Sequence, residues 1–456
     1  MHIELNRSHD SQAQSWVVSA NQTNHDFPVQ NLPWCVASCV DQNHHVQNKV
    51  CTRIGDYHLP LSDLYASGLL DSLSFADAEL FAGTHLSTRL LSLSVEERMQ
   101  LRMCLFDLLS DQATEEVQQS IRPLLQEIGD VHMPMMVGDY TDFYASVHHA
   151  TNVGTMFRPT NPLLPNYKWI PVGYHGRASS VVVSGTEIHR PVGQQIPAQE
   201  GEKPRFGPCM LLDYELEMGI VVGKGNELGK AITIDQVEQH IIGLCLLNDW
   251  SARDIQKWEY QPLGPFLAKN FATSISPYIV TLEALAPFRV PAESRGASDP
   301  APLEYLWDEQ NQAQGGFDVR LEVDLSSKAM RDQGKSALTI SSNNFKAMYW
   351  TVGQMLAHHS TSGCNLRSGD LLGSGTVSGP QRSERGCLLE LTWDGSKENP
   401  LPGTQRTPIQ LGDGEERKFL ADGDEVTLRG WCEKEGYRRI GFGQCSGSIL
   451  PALTRD

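Results

Sequence analysis

The most chemically suggestive stretch of the sequence is an acidic row inside an otherwise apolar segment, residues 211–222. The segment predicts a β-strand, on which Asp213, Glu215 and Glu217 alternate onto one face. Three neighbouring carboxylates repel one another unless a cation compensates them. A ligand set made only of oxygen favours a hard cation, Ca²⁺ or Mg²⁺, over zinc. The alternative is a solvent-exposed acidic face without an ion.

A fourth carboxylate follows a wholly apolar run, residues 241–247, which predicts a buried strand. Asp249 therefore lies where this strand ends. A helix is predicted directly afterwards, because Ser251 and Asp254 have the spacing of a capping box and Pro262 would stop the helix.

The predicted helix carries polar side chains on one face. Arg253, Gln256 and Tyr260 are spaced so that all three lie on the same side of it. A carboxylate at a strand end would then stand beside a row of hydrogen-bond donors. The alternative is a capped surface helix with a solvated polar face.

Further candidates lie nearer the amino terminus, in residues 139–154. This segment contains an acid at Asp142, a phenol at Tyr144 and tandem histidines at His148 and His149. Either histidine could be a general base or a structural residue. From the residues alone the choice stays open.

A polar loop bounded by glycine, residues 173–180, is of the kind that lines binding sites. Its His175 and Arg177 could equally be turn and surface residues. The sequence assigns them no function.

The first 134 residues predict a supporting domain, because no catalytic constellation occurs in them. Short β-like segments come first, at residues 16–19, 50–54 and 58–61. A helix is predicted from Ser94, where Glu97 completes a capping box, to about residue 109. A second, more polar helix precedes Pro123.

Residues 135–456 predict a β-rich domain whose strands are separated by Gly and Pro. The predicted strands include residues 179–184, 211–222, 369–379, 388–393 and 425–431. One more helix is predicted from Phe345 to about His359, with Gly363 suited to its C-terminal cap. Residues 283–316 are rich in Pro and Gln and predict a variable loop excursion.

Composition narrows the class of protein. The chain has 456 residues, enough for two or three domains, and its 40% hydrophobic and 20% charged residues are typical of a soluble globular protein. A net charge of −18 argues against nucleic acid or an anionic membrane surface as a partner. The amino terminus has no apolar signal-peptide core, and the ten cysteines form no CxxC pair. We therefore expect a cytoplasmic protein whose cysteines are mostly small buried side chains.

Several motifs resemble signature blocks of the fumarylacetoacetase family. The blocks are residues 139–154, 171–185, 212–218, 248–266 and 441–447. The second contains Pro-Val-Gly-Tyr-His-Gly-Arg-Ala-Ser-Ser, and the last is Gly-Phe-Gly-Gln-Cys-Ser-Gly. The resemblance covers nearly the whole chain, and its motifs are long and nearly without gaps.

The resemblance implies a mostly β fold with some α structure, of the α+β class. It implies a small SH3-like β-barrel N-terminal domain with helices, residues 1–134. It also implies a larger mixed β-sandwich or β-roll catalytic domain, residues 135–456.

The resemblance also implies roles for individual acids and their neighbours. The family's metal ligands correspond to Asp142, Glu215, Glu217 and Asp249. A second metal position corresponds to Asp249, Lys269 and Thr273. A protonated lysine amine cannot ligate a cation, so Lys269 would take part through its backbone carbonyl. Asp213 has no ligand role in the family.

The implied general base is His149, oriented by Glu390. The stabilisers of the oxyanion and the leaving group correspond to Arg253, Gln256 and Lys269. The substrate-holding positions correspond to Tyr144, Arg158, Gln256, Tyr260 and Thr376.

The implied activity is hydrolysis of the carbon–carbon bond of 4-fumarylacetoacetate to fumarate and acetoacetate, the last step of tyrosine and phenylalanine breakdown. The implied enzyme is a homodimer that uses Ca²⁺ or Mg²⁺. Alternatives are another diketo-acid hydrolase, a decarboxylase or a hydratase of the same superfamily, or an inactive relative whose Ca²⁺ site only binds or stabilises. The retained His149 and Glu390 argue against the inactive relative.

Overall fold

The computed structural model of the protein describes residues 3–41, 43–197, 199, 201–412 and 414–453. Its amino-terminal elements are, in chain order, β1 (Trp34–Val40), β2 (Val46–Ile54), β3 (Tyr57–Pro60), α1 (Leu61–Ala66), α2 (Thr88–Leu91), α3 (Val95–Leu109), α4 (Glu115–Ile121), β4 (Gln126–Glu127) and β5 (Val131–His132). The strands form one antiparallel sheet in the order β4–β3–β2–β1–β5. The predicted β segments at residues 50–54 and 58–61 are confirmed in β2 and β3.

The long helix of this region forms as its sequence predicts. Ser94 caps α3, with its hydroxyl accepting from the Glu97 amide, while the Glu97 carboxylate accepts from the Ser94 amide. This reciprocal pair satisfies two amides that have no partner inside the helix. The helix ends at Leu109, and the polar helix α4 follows it before Pro123.

The predicted strand at residues 16–19 is wrong. Val18–Asn21 is a 3₁₀ helix, and Ser15 and Trp16, which precede it, are hydrogen-bonded to the end of α3. Ser15 donates to a carbonyl of α3 at 2.5 Å, and the Trp16 indole donates to another at 2.9 Å. The last carbonyls of a helix have no partner within the helix and can accept such hydrogen bonds. The apolar pattern of residues 16–19 gives no sign of these distant partners.

The elements between residues 140 and 281 are β6 (Tyr140–Phe143), α5 (Val147–Phe157), β7 (Gly173–His175), β8 (Val181–Val183), β9 (Ile188–His189), β10 (Val192–Gln195), β11 (Arg205–Pro208), β12 (Leu212–Asp213), β13 (Leu216–Val222), β14 (Ile241–Asp249), β15 (Ser251–Ala252), α6 (Arg253–Glu259), β16 (Thr273–Ile275) and β17 (Val280–Thr281). The later elements are α7 (Leu282–Leu285), β18 (Arg289–Val290), α8 (Glu309–Gln314), β19 (Gly316–Phe317), β20 (Arg320–Ser326), α9 (Lys328–Asp332), β21 (Leu338–Asn344), α10 (Val352–Ser360), β22 (Leu371–Gly373), α11 (Leu388–Leu391), β23 (Ile409–Gln410), β24 (Glu416–Arg417), β25 (Glu425–Cys432) and β26 (Ile440–Leu450).

Two sheets organise this larger part of the chain. The central sheet has the order β7–β6–β22–β13–β14–β16–β8, and β17 also pairs with β14. The second sheet has the order β21–β20–β25–β26–β9. The mixed, β-dominated fold is therefore confirmed.

The central strand β14 is buried along its whole length, as its apolar run predicts. Leu244 and Leu246 belong to the core shared with the second sheet, whereas Cys245 and Leu247 belong to the core shared with the amino-terminal elements. The second sheet approaches closely, because a Cβ at Gly430 of β25 would lie 2.8 Å from Leu246. Burial on both faces explains why this strand has no polar alternation.

Several other local predictions need correction. The acidic segment is two strands, β12 and β13, interrupted at residues 214–215. The helix predicted from Phe345 begins only at Val352, because Thr351 forms a capping box with Gln354. Residues 283–316 contain strands and helices instead of one variable loop.

None of the described helices is long and apolar enough to cross a membrane. The described cysteines are free, and apart from Cys104 and Cys364, which are partly exposed, they are buried. The expectation of small buried thiols is confirmed for most of them.

Candidate active site

Four carboxylates converge at the end of the central sheet, and we call them the acid cluster: Asp142, Glu215, Glu217 and Asp249. Their ligand oxygens lie within 4.8 Å of one another, and all four side chains are buried. They meet because β6, β22, β13 and β14 are neighbours in the sheet. The alternative of an exposed acidic face is therefore wrong.

The strand β22 makes this convergence possible by ending in glycine. A Cβ at Gly373 would lie 2.8 Å from Oδ1 of Asp142 and 2.9 Å from Oε2 of Glu217. Two residues on, the Gly375 amide donates to Oε2 of Glu217 at 2.9 Å. The sequence prediction placed a strand here but gave these glycines no role.

The acid cluster is electrostatically incomplete. Burial, followed by the charge of Asp249, raises the pKa of Asp142 well above its usual value. Burial and the neighbouring acids raise the pKa of Glu217 in the same way. Oδ1 of Asp142 and Oε1 of Glu217 are buried and accept no hydrogen bond from the residues that the structure describes. Buried acceptors without donors in an all-oxygen group fit a hard divalent cation such as Ca²⁺ or Mg²⁺.

Lys269 compensates one side of the acid cluster. Its ammonium contacts Glu215 and lies 2.5 Å from Oδ2 of Asp249. Burial acts to raise the pKa of Glu215, but Lys269 and Arg253 outweigh it and hold this pKa well below its usual value. Thr273 donates to Oδ1 of Asp249 at 3.0 Å.

Tyr174 is a site residue that the sequence prediction missed. Its half-buried side chain donates through the hydroxyl to Oδ2 of Asp249 at 2.9 Å. The residue lies in the polar loop at residues 173–180, which was a candidate site segment without an assigned contact. His175 and Arg177 of the same segment form no ion pair with the acid cluster among the described residues.

A histidine and a glutamate from distant parts of the chain form a buried pair beside the acid cluster. His149 lies in α5, whose N-cap is Ser146. Its Nδ1 is 2.5 Å from Oε2 of Glu390, and its Nε2 is 4.0 Å from Oε1 of Glu215. The structure thus brings His149, and not His148, to the glutamate.

Glu390 is held as an ionised acceptor. Asn152 donates to its Oε1 at 2.8 Å, and Ser378 donates to its Oε2 at 2.8 Å. Burial alone would raise the pKa of Glu390, but His149, Asn152 and Ser378 lower it to about 2. Asn152 was missed, although it follows His149 by one helical turn and the spacing places both on one face.

The predicted strand at residues 388–393 is wrong, because Glu390 lies in the short helix α11. The amides of Leu388 and Leu389 donate to the Asp213 carboxylate at 2.8 and 2.9 Å. A carboxylate at the first amides of a helix stabilises the helical state of a segment whose apolar residues suit a strand equally well.

The predicted capping box of α6 is also wrong, because Ser251 is in strand β15 and pairs with Asp213. The Asp254 carboxylate instead accepts from the Met210 amide at 2.8 Å. The predicted polar face of α6 is present at the start of the helix, where Arg253 donates to the Gln256 side chain at 3.2 Å.

Arg253 connects two acids of the site. Its Nε donates to Oδ2 of Asp213 at 2.9 Å, and its Nη1 lies 2.7 Å from Oε1 of Glu215. The guanidinium at the start of α6 is therefore held against the acidic segment.

The remaining candidate residues differ in what they contact. The Tyr144 ring is 5.2 Å from the His149 ring and nearly perpendicular to it. Arg158 directly follows α5, and its Nη2 donates to the Pro162 carbonyl at 3.2 Å. Nε of Arg158 and Oγ1 of Thr376 are buried and have no hydrogen-bond partner in the described part of the chain. Tyr260 packs against Phe157, with ring centroids 6.4 Å apart.

Sequence comparisons agree with the motifs. Residues 30–135 match the family described as Fumarylacetoacetase N-terminal, and residues 139–449 match Fumarylacetoacetate (FAA) hydrolase C-terminal. The chain is 47% identical over 450 residues to a Homo sapiens fumarylacetoacetase, covering 94% of this chain and 97% of that protein. It is 46% identical over 431 residues to a fumarylacetoacetase of Arabidopsis thaliana, covering 93% and 96% of the two chains. For Dictyostelium discoideum the identity is 46% over 436 residues, covering 94% and 96%.

Proposed function

This chain belongs to the fumarylacetoacetase family, and from that premise we propose that it hydrolyses the carbon–carbon bond of 4-fumarylacetoacetate to fumarate and acetoacetate. The protein is a hydrolase, and its reaction is the last step of tyrosine and phenylalanine breakdown. The observation that carries the proposal is the buried pair of His149 and Glu390 directly beside four convergent carboxylates.

His149 is suited to be the general base. Because the pKa of Glu390 is about 2, its carboxylate is ionised and only accepts, so Nδ1 of His149 carries the shared proton. Nε2 is then a free acceptor on the side of Glu215. Glu390 fixes this tautomer and stabilises the imidazolium that forms.

The bond changes follow from this arrangement. Nε2 of His149 takes a proton from water while the water oxygen bonds to the carbonyl carbon of the fumaryl group, which becomes a carboxyl of fumarate. The adjacent carbon–carbon bond then breaks, and its electron pair leaves on the acetoacetate carbon as an enolate. That carbon receives the proton from His149, so water is divided between the two products.

We assign one Ca²⁺ or Mg²⁺ to the acid cluster, because its donors are all oxygen and two of its oxygens lack donors. When bound, such an ion supplies a Lewis acid that stabilises negative charge on a carbonyl oxygen. A second metal position near Asp249, Lys269 and Thr273 would use the Lys269 carbonyl, because its ammonium already contacts Glu215 and Asp249.

Cationic and polar side chains offset the negative charge that a dicarboxylate adds to an acidic centre. In this proposal Arg253, Gln256 and Lys269 stabilise the oxyanion and the leaving group, and their contacts with one another and with the acid cluster support the assignment. The substrate-holding residues in this proposal are Tyr144, Arg158, Gln256, Tyr260 and Thr376. The unpartnered atoms of Arg158 and Thr376 support this assignment, since buried polar atoms normally have partners.

The proposal extends to the organisation of the protein. We assign residues 1–134 to the supporting domain and residues 135–456 to the catalytic domain. The family resemblance supports a homodimer in the cytoplasm, with a small molecule as its substrate.

Turnover of 4-fumarylacetoacetate tests the function. The purified protein should remove the diketo absorbance and release fumarate and acetoacetate in equal amounts, and His149→Ala should not. Different products from this substrate, or faster turnover of another acylpyruvate, would favour a different diketo-acid hydrolase. Binding of a metal ion without any turnover would favour an inactive relative.

Arg158 gives a test of substrate recognition. Arg158→Lys keeps the charge but loses the bidentate fork, so kcat/KM should fall more for the dicarboxylate than for a neutral ester analogue. Equal losses on both substrates would contradict the assignment.

A further inference from the structure

Asp213 is the acid of the acidic strand that neither the acid cluster nor the proposed chemistry uses. Its side chain is fully buried, and it is not among the four convergent carboxylates. Its Oδ1 accepts from the Tyr214 and Leu388 amides at 2.9 and 2.8 Å. Its Oδ2 accepts from the Leu389 amide and from Nε of Arg253, both at 2.9 Å. One carboxylate therefore receives four donors from three separate segments.

Two of these donors belong to the helix that carries Glu390. Leu388 and Leu389 are the first residues of α11, and their amides have no partner within the helix. A helix of one turn is not stable alone, so its position depends on the groups at its two ends.

Charged side chains also hold the other end of α11. The carbonyl of Glu390 accepts from Arg385 at 2.6 Å. The Leu389 carbonyl accepts from Arg406 at 2.6 Å, and the Leu391 carbonyl accepts from Arg382 at 3.1 Å. The negative group at the amino end and the positive groups at the carboxyl end both match the helix dipole. Asp213 is the anionic member of this arrangement.

The fourth donor, Nε of Arg253, belongs to a different segment from α11. Arg253 reaches Asp213 through Nε and Glu215 through Nη1, so the same carboxylate also sets the direction of this guanidinium. Glu390 orients His149, while Arg253 faces the acid cluster. Asp213 thus contacts both the helix that carries Glu390 and the guanidinium that pairs with Glu215.

We propose that Asp213 is a positioning residue for the reaction, acting through Glu390 and Arg253 without contact with substrate or metal. The inference rests on the proposed function, in which Glu390 orients the base. Asp213→Asn keeps the shape of the side chain but replaces one accepting oxygen by an NH₂ group that would face donors. α11 and Arg253 should then lose their common anchor.

The test compares Asp213→Asn with a matched control, Asp424→Asn. Asp424 is also fully buried and accepts from an arginine and a backbone amide, but its partners are Arg417 and Ala421, outside the site. Asp213→Asn should lower kcat about 10- to 100-fold, as expected for a residue that orients a functional group, with a smaller change in KM. Asp424→Asn should reduce stability and leave kcat unchanged.

A spectroscopic measurement separates positioning from general damage. The proton between Nδ1 of His149 and Glu390 should give a far-downfield resonance, because the two atoms are 2.5 Å apart. Asp213→Asn should weaken or shift this resonance, and Asp424→Asn should not. The double variant Asp213→Asn with Glu390→Gln should lose less than the product of the two single losses, since both act through one pair.

Each outcome bears on the inference. An unchanged resonance and kcat in Asp213→Asn would overturn it, and so would equal effects from Asp424→Asn. If Asp213→Asn does not fold, Asp213→Ser, which leaves room for water, is measured in the same way. If the protein does not cleave 4-fumarylacetoacetate, the proposed function fails, whereas the resonance still reports whether Asp213 holds the pair.

Discussion

Two groups of buried charges in this protein are built in different ways. The first, which we call the α3 contact, joins Arg98 and Arg102 of α3 to Glu283 and His9. Nε of Arg98 lies 2.8 Å from Oε1 of Glu283, and both side chains are 1% exposed. Arg102 donates to three backbone carbonyls, while burial lowers the pKa of His9 to about 4. Positive charge here is compensated by a carboxylate and by carbonyl oxygens.

The acid cluster is the second group, and neighbouring side chains compensate its charge only in part. Lys269 and Arg253 form ion pairs with only two of its four carboxylates among the described residues. Asp142 and Glu217 keep buried oxygens without donors and have raised pKa values. Removing one partner of a buried ion pair leaves the other charge unpaired and destabilises the fold, whereas a group of like charges is stabilised further when it binds a cation. Substitutions in the α3 contact should therefore lower stability, whereas substitutions in and beside the acid cluster should lower catalysis or metal binding.

The largest effect is expected beside the acid cluster, on catalysis. His149→Ala removes the general base and should lower turnover on the order of a hundred- to ten-thousandfold while the fold persists. Glu390→Gln should lower turnover nearly as far, because it alters the tautomer of the histidine. Steady-state kinetics with circular dichroism measure both effects.

The double variant sharpens this prediction. After His149→Ala, deletion of Glu390 should cost little more, because residues that act as a unit are not additive. His148→Ala is the control, with a small expected effect. Additive losses would contradict the pair, and a larger loss at His148 would place the base one residue earlier.

The next effect belongs to the α3 contact and concerns stability. Arg98→Met leaves Glu283 buried without its partner and should reduce the free energy of unfolding by about 3–5 kcal/mol. The Arg7–Asp107 pair is the control, since it also involves α3 but is exposed, and Arg7→Ala should lose less than about 1 kcal/mol. Urea unfolding measures both. An unchanged free energy of unfolding in Arg98→Met, or a lower kcat in its folded fraction, would contradict the contrast between the α3 contact and the acid cluster.

The sequence predicts best where local chemistry and tertiary packing agree. The capping box at Ser94 is satisfied within its own turn, and the apolar run of β14 is buried on both faces. Asp249 at the end of that strand was accordingly placed correctly. The convergence with Asp142 is not local, since it depends on β22 lying between β6 and β13 and ending at Gly373.

The wrong predictions arose where a distant partner decides the local state. The apolar segment around Glu390 suits a strand, but Asp213 binds its first amides from 175 residues away. Ser251 has the spacing of a cap, but it pairs with β12 instead. The spacing of side chains does not reveal such partners, so α11 and the contact of Tyr174 needed the structure.

Binding of a metal ion should raise the stability of the protein by an intermediate amount. This stabilisation should depend on the acid cluster and not on the α3 contact. An ion at a hundred times its Kd should stabilise the chelator-treated protein by about 2.7 kcal/mol. Asp249→Ala should lose this stabilisation, whereas Arg98→Met should keep it although it starts from a lower stability. Thermal unfolding with Ca²⁺ or Mg²⁺, together with calorimetric titration, measures the difference. If Asp249→Ala binds one ion with unchanged affinity, the ligand assignment is wrong.

The smallest expected effect is the pH dependence of stability, which has opposite signs for Glu217 and Glu390. Burial and then Asp142 raise the pKa of Glu217, so the metal-free folded protein holds a proton that the unfolded chain releases. Stability should therefore fall as pH rises above the ordinary glutamate pKa, by up to about 1.4 kcal/mol per pH unit for one proton. Glu217→Gln imitates the protonated acid, so the metal-free variant should have a shallower slope, to which Asp142 still contributes, and should be more stable near neutral pH. Glu390 has the opposite sign: its pKa is lowered to about 2, so its contribution is present above the ordinary pKa and lost as pH falls. Glu390→Gln should thus be less stable near neutral pH, and urea unfolding in chelator from about pH 5 to about pH 8 compares the two variants. If both lose stability alike, the acid cluster is as well compensated as the α3 contact, and the contrast between them does not hold.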